Sequence, residues 1–518
     1  MLPRFLLTAC LVMTGLLSAT TASARELRMA FNDIPATLDI HEQLSESVLQ
    51  LSHISFDPLI RWTKELSFEP RLATSFERLN ETTVRFNLRK GDKFHSGNTM
   101  TAGDFKWTFK RLKESLDFKD KFASFEALNV IDDYTIDLVT TGPYPLVLHT
   151  ATYIFPLDSK FYSGTDANGN DKAAIVKNGA SFASANLSGT GPFKVVSRER
   201  DVKLVFERFA DYWDKNSPGN VTRIVFRPIK DEQTRVANLL SGEVDLIAPV
   251  SPKAFDQIRA SSNAELFTMP GTRIITLQMN QERRAEFRDQ RVRMAIVHAV
   301  NNEAIVQKIM KGFATTAEQM SPSGYLGHNP NLKPRYDLDL AKKLMKDAGY
   351  EDGFSITMMA PNNRYVNDAN IAREVAAMLA KINIKVDLQT MPKAKYWPLF
   401  DDRAADMMMI AWRSDTGDSA QFYEFLAMTP DKASGFGSYN SGNYSSDFVD
   451  SQTLKSNQET DTARRTEMLQ AIETKIFQDA AFVPLHWQNL AWAARKGVIL
   501  DPVVNALNFP YLGDLVID

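Results

Sequence analysis

The chain has 518 residues, 44% hydrophobic and 24% charged, an ordinary globular composition with enough length for more than one core. Asp and Glu total 63 against 60 Lys and Arg, a net charge of −3, which argues against nucleic-acid binding or an anionic membrane partner.

The first 24 residues stand apart from the rest. After Arg4, the run from Phe5 to Leu17 is almost wholly apolar or small, and Ala22-Ser23-Ala24 fits a small-residue cleavage site. This predicts a secretory signal peptide cleaved after Ala24 and an exported, periplasmic product. No later stretch reaches the roughly 18 apolar residues that would suggest a membrane span. Cys10 is the sole cysteine and lies inside the signal, so the mature chain is expected to rely on its cores, without disulfides.

Thr83 to Leu88 alternates as a strand, and Arg89-Lys90-Gly91-Asp92 reads as the turn after it. Thr101 and Asp104 have capping-box spacing ahead of Phe105, Phe109 and Leu112 on one helix face. Ser188 to Pro192 is a Gly/Pro loop leading into a strand from Phe193, with further strands expected at 203–206 and 223–227. Beyond about residue 270 the pattern becomes α/β alternation. A helical stretch covers 288–310, and Asp337 can cap a helix that stops at Gly349. Strands are predicted at 354–359, 385–389 and 407–411, interleaved with helices at 369–382 and 396–400, and a last amphipathic helix at 463–477.

That alternation carries a functional expectation. Ligands of open α/β sheets bind beyond the carboxyl ends of the strands. The loops Pro361-Asn362-Asn363-Arg364-Tyr365 and Trp412-Arg413-Ser414-Asp415 occupy that position. If their strands are parallel neighbours, Arg364 and Asp415 face one crevice with opposite charges. Each residue also has a plain reading: Arg364 as a solvated loop cation, Trp412 as a strand-end core residue, Asp415 as a turn or cap residue. Asp415 and Asp418, three apart, could also be a carboxylate pair for acid/base chemistry.

Other chemistry finds little footing. The seven His show no ligand-like spacing, and neither HExxH nor an EF-hand loop is present, so no metal or cofactor is expected. No G-x-S-x-G elbow or S-x-x-K occurs, and Gly189-x-Gly191 runs into Pro192 and a strand, unlike a nucleotide loop. No catalytic residue is assigned.

Five stretches, in order along nearly the whole mature chain, resemble the family 5 extracellular solute-binding proteins, the dipeptide- and oligopeptide-binding components of bacterial ABC importers. They are Phe86 to Gly97 with Thr101 to Asp104; Gly189 to Phe193 with Tyr212-Trp213; Ser241 to Asp245; Val292 to Asn301; and Ala341 to Tyr350 with Gly353-Phe354. The resemblance implies a two-lobed periplasmic-binding-protein fold, type II-like, with an inserted subdomain and two hinge segments. Lobe I would comprise 25–55, an insertion at 56–158, 159–270 and a return at 484–518; lobe II would span 271–483. The hinges would lie near Met269-Pro270-Gly271 and Val483-Pro484-Leu485.

The resemblance also implies roles. Asp415, three residues after Trp412, matches the acid that receives a peptide ammonium, and Arg364 matches the arginine that holds the carboxylate. A guanidinium fork suits a carboxylate, and charges desolvated in a closed cleft need partners. Trp412, Arg413, Tyr365 and Asn363 would complete the site. Two departures stand out: Gly417-Asp418-Ser419-Ala420 replaces the common Gly-Asp-Pro-Asp, and Arg413 stands where small residues are usual, able to pair with Asp415. The expectation is a monomeric binding protein that hands a small peptide to an inner-membrane permease. The alternatives are another solute (nickel chelate, oligosaccharide, haem or opine) and, further off, a secreted hydrolase.

Overall fold

The structure, a computed structural model, describes residues 25–176, 181–414, 416–501 and 503–518. The predicted signal segment and Asp415 lie outside the described residues.

Eleven described strands join into one sheet. Its path runs Ile384–Met391, Phe354–Pro361, Met407–Trp412, Ala264–Met279, Phe482–Arg495, Leu246–Ala248, Glu26–Phe31, Arg223–Pro228, Lys203–Arg208 and Phe193–Glu199, with Ala314–Thr316 beside Phe482–Arg495. A smaller four-stranded sheet holds Ala73–Asn80, Thr83–Leu88, Thr135–Thr140 and Phe125–Asp132. The helix Ala102–Glu114 covers it, started by the Thr101–Asp104 capping box and burying Phe105, Phe109 and Leu112. This is the two-lobed α/β architecture, with the small sheet as an additional unit in the N-terminal half.

Two strands are long for a globular protein, where five or six residues are typical: the outward strand Ala264–Met279, of 16 residues, and the return strand Phe482–Arg495, of 14. They pair antiparallel and carry the chain between the halves. Their register shifts twice, between Met269 and Arg273 and between Ile275 and Thr276. The first shift brackets Pro270-Gly271, and the second faces the step from His486 to Pro484. Pro lacks the ladder donor, which is why irregularities settle there. Gly271 is required by proximity: a Cβ would lie 2.3 Å from the Gln488 carbonyl oxygen. Opposite the first shift, Gln488 to Leu490 are only half-buried, between fully buried runs on either side.

In the C-terminal half, Met407–Trp412 pairs parallel with Phe354–Pro361 through Met358↔Met407 and Met359↔Met408. The loops after both strands therefore leave the same sheet edge. One helix differs from expectation. The stretch 288–310 breaks at Val300, which is extended, and Asn301 caps a new turn by accepting from the Ala304 amide. Periodicity alone did not reveal this, because apolar spacing continues across the break. Asp337 caps its helix as expected, and Gly349 takes a φ of +85°.

Candidate ligand-binding cleft

The loop after Phe354–Pro361 is shaped by one buried carboxylate. Asp368 accepts hydrogen bonds from the Arg364 and Tyr365 amides at 2.9 and 3.0 Å, and from the Ala369 amide at 2.9 Å. It satisfies one free N–H of the helix Asp368–Leu379, that of Ala369, and ties the two preceding loop amides to the helix start. The backbone curls back over the helix end, and the Arg364 side chain is left exposed, its guanidinium 5.3 Å from the Tyr365 ring centroid. Tyr365 is buried, and its hydroxyl accepts from the Ala411 amide at 3.1 Å, tying the first loop to the second strand. Burial raises the Tyr365 phenol pKa, so the hydroxyl stays neutral near pH 7. Among the described residues Arg364 makes no ion pair.

On the second loop, Trp412 lies against Phe425 and Tyr439, with centroids 5.1 and 4.8 Å away. Its indole Nε1 is shielded from solvent and has no hydrogen-bond partner among the described residues. Ser414 is fully buried, its carbonyl accepting from the Tyr325 hydroxyl at 2.6 Å and its hydroxyl 2.8 Å from that of Thr416. The flanks of Asp415 are thus fixed in place.

Asp418 has a different setting. It is completely buried and makes a two-point ion pair with Arg465, at 3.0 and 2.9 Å, while also accepting from the Ala420 amide at 2.8 Å. It holds the loop onto the helix Thr462–Gln478. A carboxylate so engaged is not available for acid/base chemistry.

Three cavities meet at these loops. One of about 420 Å³ lies between the N-terminal segment around Asn32-Asp33, the crossing strands at Thr272-Arg273 and Gln488 to Trp492, and the loop residues Arg364, Tyr365 and Arg413. A second, about 560 Å³, is bounded by Arg273, Arg364, Tyr365, Trp397, Trp412, Arg413 and Tyr439. A third, about 790 Å³, continues past Trp412 and Arg413 towards Asp120, Tyr144 and Glu424. Arg413 borders all three, and the first two share Arg273, Arg364 and Tyr365. Volumes of this size suit small molecules.

Of the residues predicted from sequence, Arg364, Tyr365, Trp412 and Arg413 line this cleft. Asn363 is not among the lining residues. It is exposed, and its side-chain oxygen accepts from the Lys393 amide at 2.8 Å, starting the helix Lys393–Asp401. Sequence reasoning missed Asp33, Arg273 and Gln488, which reach the cleft from the N-terminal segment and the crossing strands. The one available clue was that Arg273 directly follows the Pro270-Gly271 break.

A cleft crossed by two long strands between α/β halves defines a periplasmic-binding-protein type of molecule. Residues 67–434 match the family described as bacterial extracellular solute-binding proteins, family 5, and the chain belongs to it. It is 27% identical over 386 residues to the dipeptide-binding protein of Escherichia coli K12, covering 69% of this chain and 70% of that one. It is 24% identical over 506 residues to the glutathione-binding protein GsiB of Escherichia coli O1:K1, covering 94% of each. Its fold superposes on the periplasmic binding protein DppA of Helicobacter pylori in complex with peptide STSA, with a TM-score of 0.71, 23% identity and coverage of 95% and 98%. The protein is a solute-binding component of an ABC importer, and members of this family are binding proteins, not enzymes. No helix among the described residues is long and apolar enough to cross a membrane.

Proposed function

We propose that the protein captures a small peptide in the cleft and delivers it to a membrane permease. The observation that carries this reading is the convergence of Arg364, Tyr365, Trp412 and Arg413, from two parallel-strand loops, on connected cavities. The exposed Arg364 guanidinium would hold the peptide carboxylate. From its place in the sequence, Asp415 would receive the ammonium. Trp412 and Tyr439 would supply apolar walls. The lobes would divide at 270/271 and 483/484, with Pro270-Gly271 and Pro484 as hinge points for closure. Removal of a signal peptide after Ala24 would place the mature, monomeric chain in the periplasm.

Arg273 and Arg413 bring two more guanidinium groups to the same walls. This supports a second, narrower reading: a solute carrying more than one carboxylate, such as glutathione or an opine, in place of a simple dipeptide.

The deciding experiment is a thermal-shift screen of di- to pentapeptides, glutathione, nickel chelates, oligosaccharides, haem and opines, followed by calorimetry on the hits. Stabilisation by peptides that are recovered intact supports the proposal. Stabilisation only by a non-peptide solute refutes it, and peptide turnover would point to a hydrolase.

A further inference from the structure

Behind the cleft, one hairpin of the N-terminal half reaches across to the C-terminal half. The strands Ile60–Trp62 and Phe68–Pro70 pair antiparallel, and the turn between them closes with a Thr63 amide to Ser67 carbonyl bond of 2.8 Å. The outer edge of the Trp62 ring abuts Gly417, so closely that a methyl group on that glycine would sit 2.9 Å from the ring carbon Cη2. Leu66, at the hairpin tip, has its Cδ1 3.4 Å from where a methyl group on Gly324 would sit. Leu66 packs against hydrophobic clusters of both halves.

The two glycines belong to segments that are zipped together. The Leu326 amide donates to the Gly417 carbonyl at 3.2 Å, and the Ser419 amide donates to the Leu326 carbonyl at 3.1 Å. Gly417 is four residues beyond Arg413, on the loop that borders every cavity described above. The hairpin therefore grips the back of the ligand loop; neither Trp62 nor Leu66 lines a cavity itself.

The backbone at Leu66 singles out this contact. Its φ is +60°, the left-handed region that costs a leucine and suits a glycine. Strained residues persist where the surroundings over-determine them. Here the surroundings include a partner in the opposite half, and no turn requirement calls for a large apolar side chain.

We infer that Trp62 and Leu66 form a latch that stabilises the closed cleft, and that they are positioning residues for solute capture, acting through the 416–420 segment. Gly417 and Gly324 are the seats of the latch. The latch would raise affinity by increasing the closed, binding-competent fraction, with no contact to the solute.

The test uses the full chain with Cys10→Ser, so that cysteines introduced at exposed Glu81 and Lys455 are the only thiols for a fluorescent donor–acceptor pair. The closed fraction is read from energy transfer, without added solute and with a dipeptide mixture or reduced glutathione. Leu66→Gly is the decisive variant, because it relieves the backbone while deleting the inter-half contact. It should leave the melting temperature of the ligand-free protein level or higher, yet lower the closed fraction at least about threefold and raise the apparent Kd of a binding probe by the same factor. Gly417→Ala should lower the closed fraction likewise, and so should Trp62→Phe, whose shorter ring lacks the Cη2 edge that meets Gly417. Equal closed fractions in wild type and Leu66→Gly overturn the inference. A wild type that never populates the closed state also overturns it. A depleted closed state in Leu66→Gly, with neither probe bound by the wild type, upholds the latch and counts against the peptide reading alone.

Discussion

Arg364 and Asp418 show how one residue type takes its role from its surroundings. Arg364 is exposed over a cleft and makes no ion pair among the described residues, so deleting it leaves no buried charge behind. Asp418 is buried against Arg465, and its removal strands a guanidinium in the interior. Arg364→Ala is therefore expected to weaken peptide binding by about tenfold or more, roughly 1.4 kcal/mol by calorimetry, with an unchanged melting temperature. Asp415→Ala should weaken binding to a similar degree if that acid receives the ammonium. Asp418→Asn should instead lower unfolding stability by about 3 kcal/mol or more in urea titration, because one partner of a buried pair is lost. A binding loss in Asp418→Asn at full stability would contradict this division of roles. The sequence offered Asp418 as half of a possible carboxylate pair. It did not show the ion pair, since Arg465 is 47 positions away.

At the scale of elements, the crossing strands matter most. Their irregular points coincide with Pro270-Gly271 and Pro484, where the ladder lacks a donor or a side chain. Gly271→Ala is expected to force the Gln488 carbonyl away and destabilise the protein by about 1–3 kcal/mol, the range for overpacking. Solute affinity should fall with it, because Arg273 and Gln488 stand in the same cleft wall; denaturant unfolding with calorimetry checks both. The capped helices and alternating strands were legible because each obeys a local rule, such as the Thr101–Asp104 capping box or the Gly349 stop. The break at Val300-Asn301 was not, because an apolar period runs through a kink unchanged. The pairing partners of the crossing strands were also hidden, since residues some 200 positions apart leave no local trace.

Across the whole molecule, burial sets the response to acid. His41, His53 and His486 are held near a pKa of about 3, and His95 and His149 near about 4, in each case first of all because burial disfavours the imidazolium. The unfolded chain protonates these groups near 6.5 and the folded chain does not, so below pH 6.5 the unfolded state binds more protons. Their stabilising contribution is thus complete above about pH 6.5 and is lost progressively as pH falls towards 4 to 3. The cost is at most about 1.4 kcal/mol per histidine per pH unit. Asp92, raised to about 6 by burial, and Glu318, Glu424 and Glu473, also raised by burial, work in the opposite sense but are fewer. The melting temperature should therefore drop steadily from pH 7 to pH 4.5. His486→Leu, which replaces a buried ring with both nitrogens unpartnered among the described residues, should flatten that slope. A flat profile in the wild type would show that these histidines are not neutral inside the fold.

The sequence by itself determined the α/β class, the export signature, the family resemblance and the two loops that face the cleft. These follow from local patterns: period, caps, turn residues and motif order. It also raised the expectation that Arg364 and Asp415 act as a pair of opposite charges. Only the tertiary structure decided that Arg273 and Gln488 share the cleft wall, that Asn363 serves a helix start, that Asp418 belongs to Arg465, and that Trp62 and Leu66 seat on Gly417 and Gly324. Each of those depends on contacts between distant segments, and such contacts arise only when the long strands bring the two halves of the chain together.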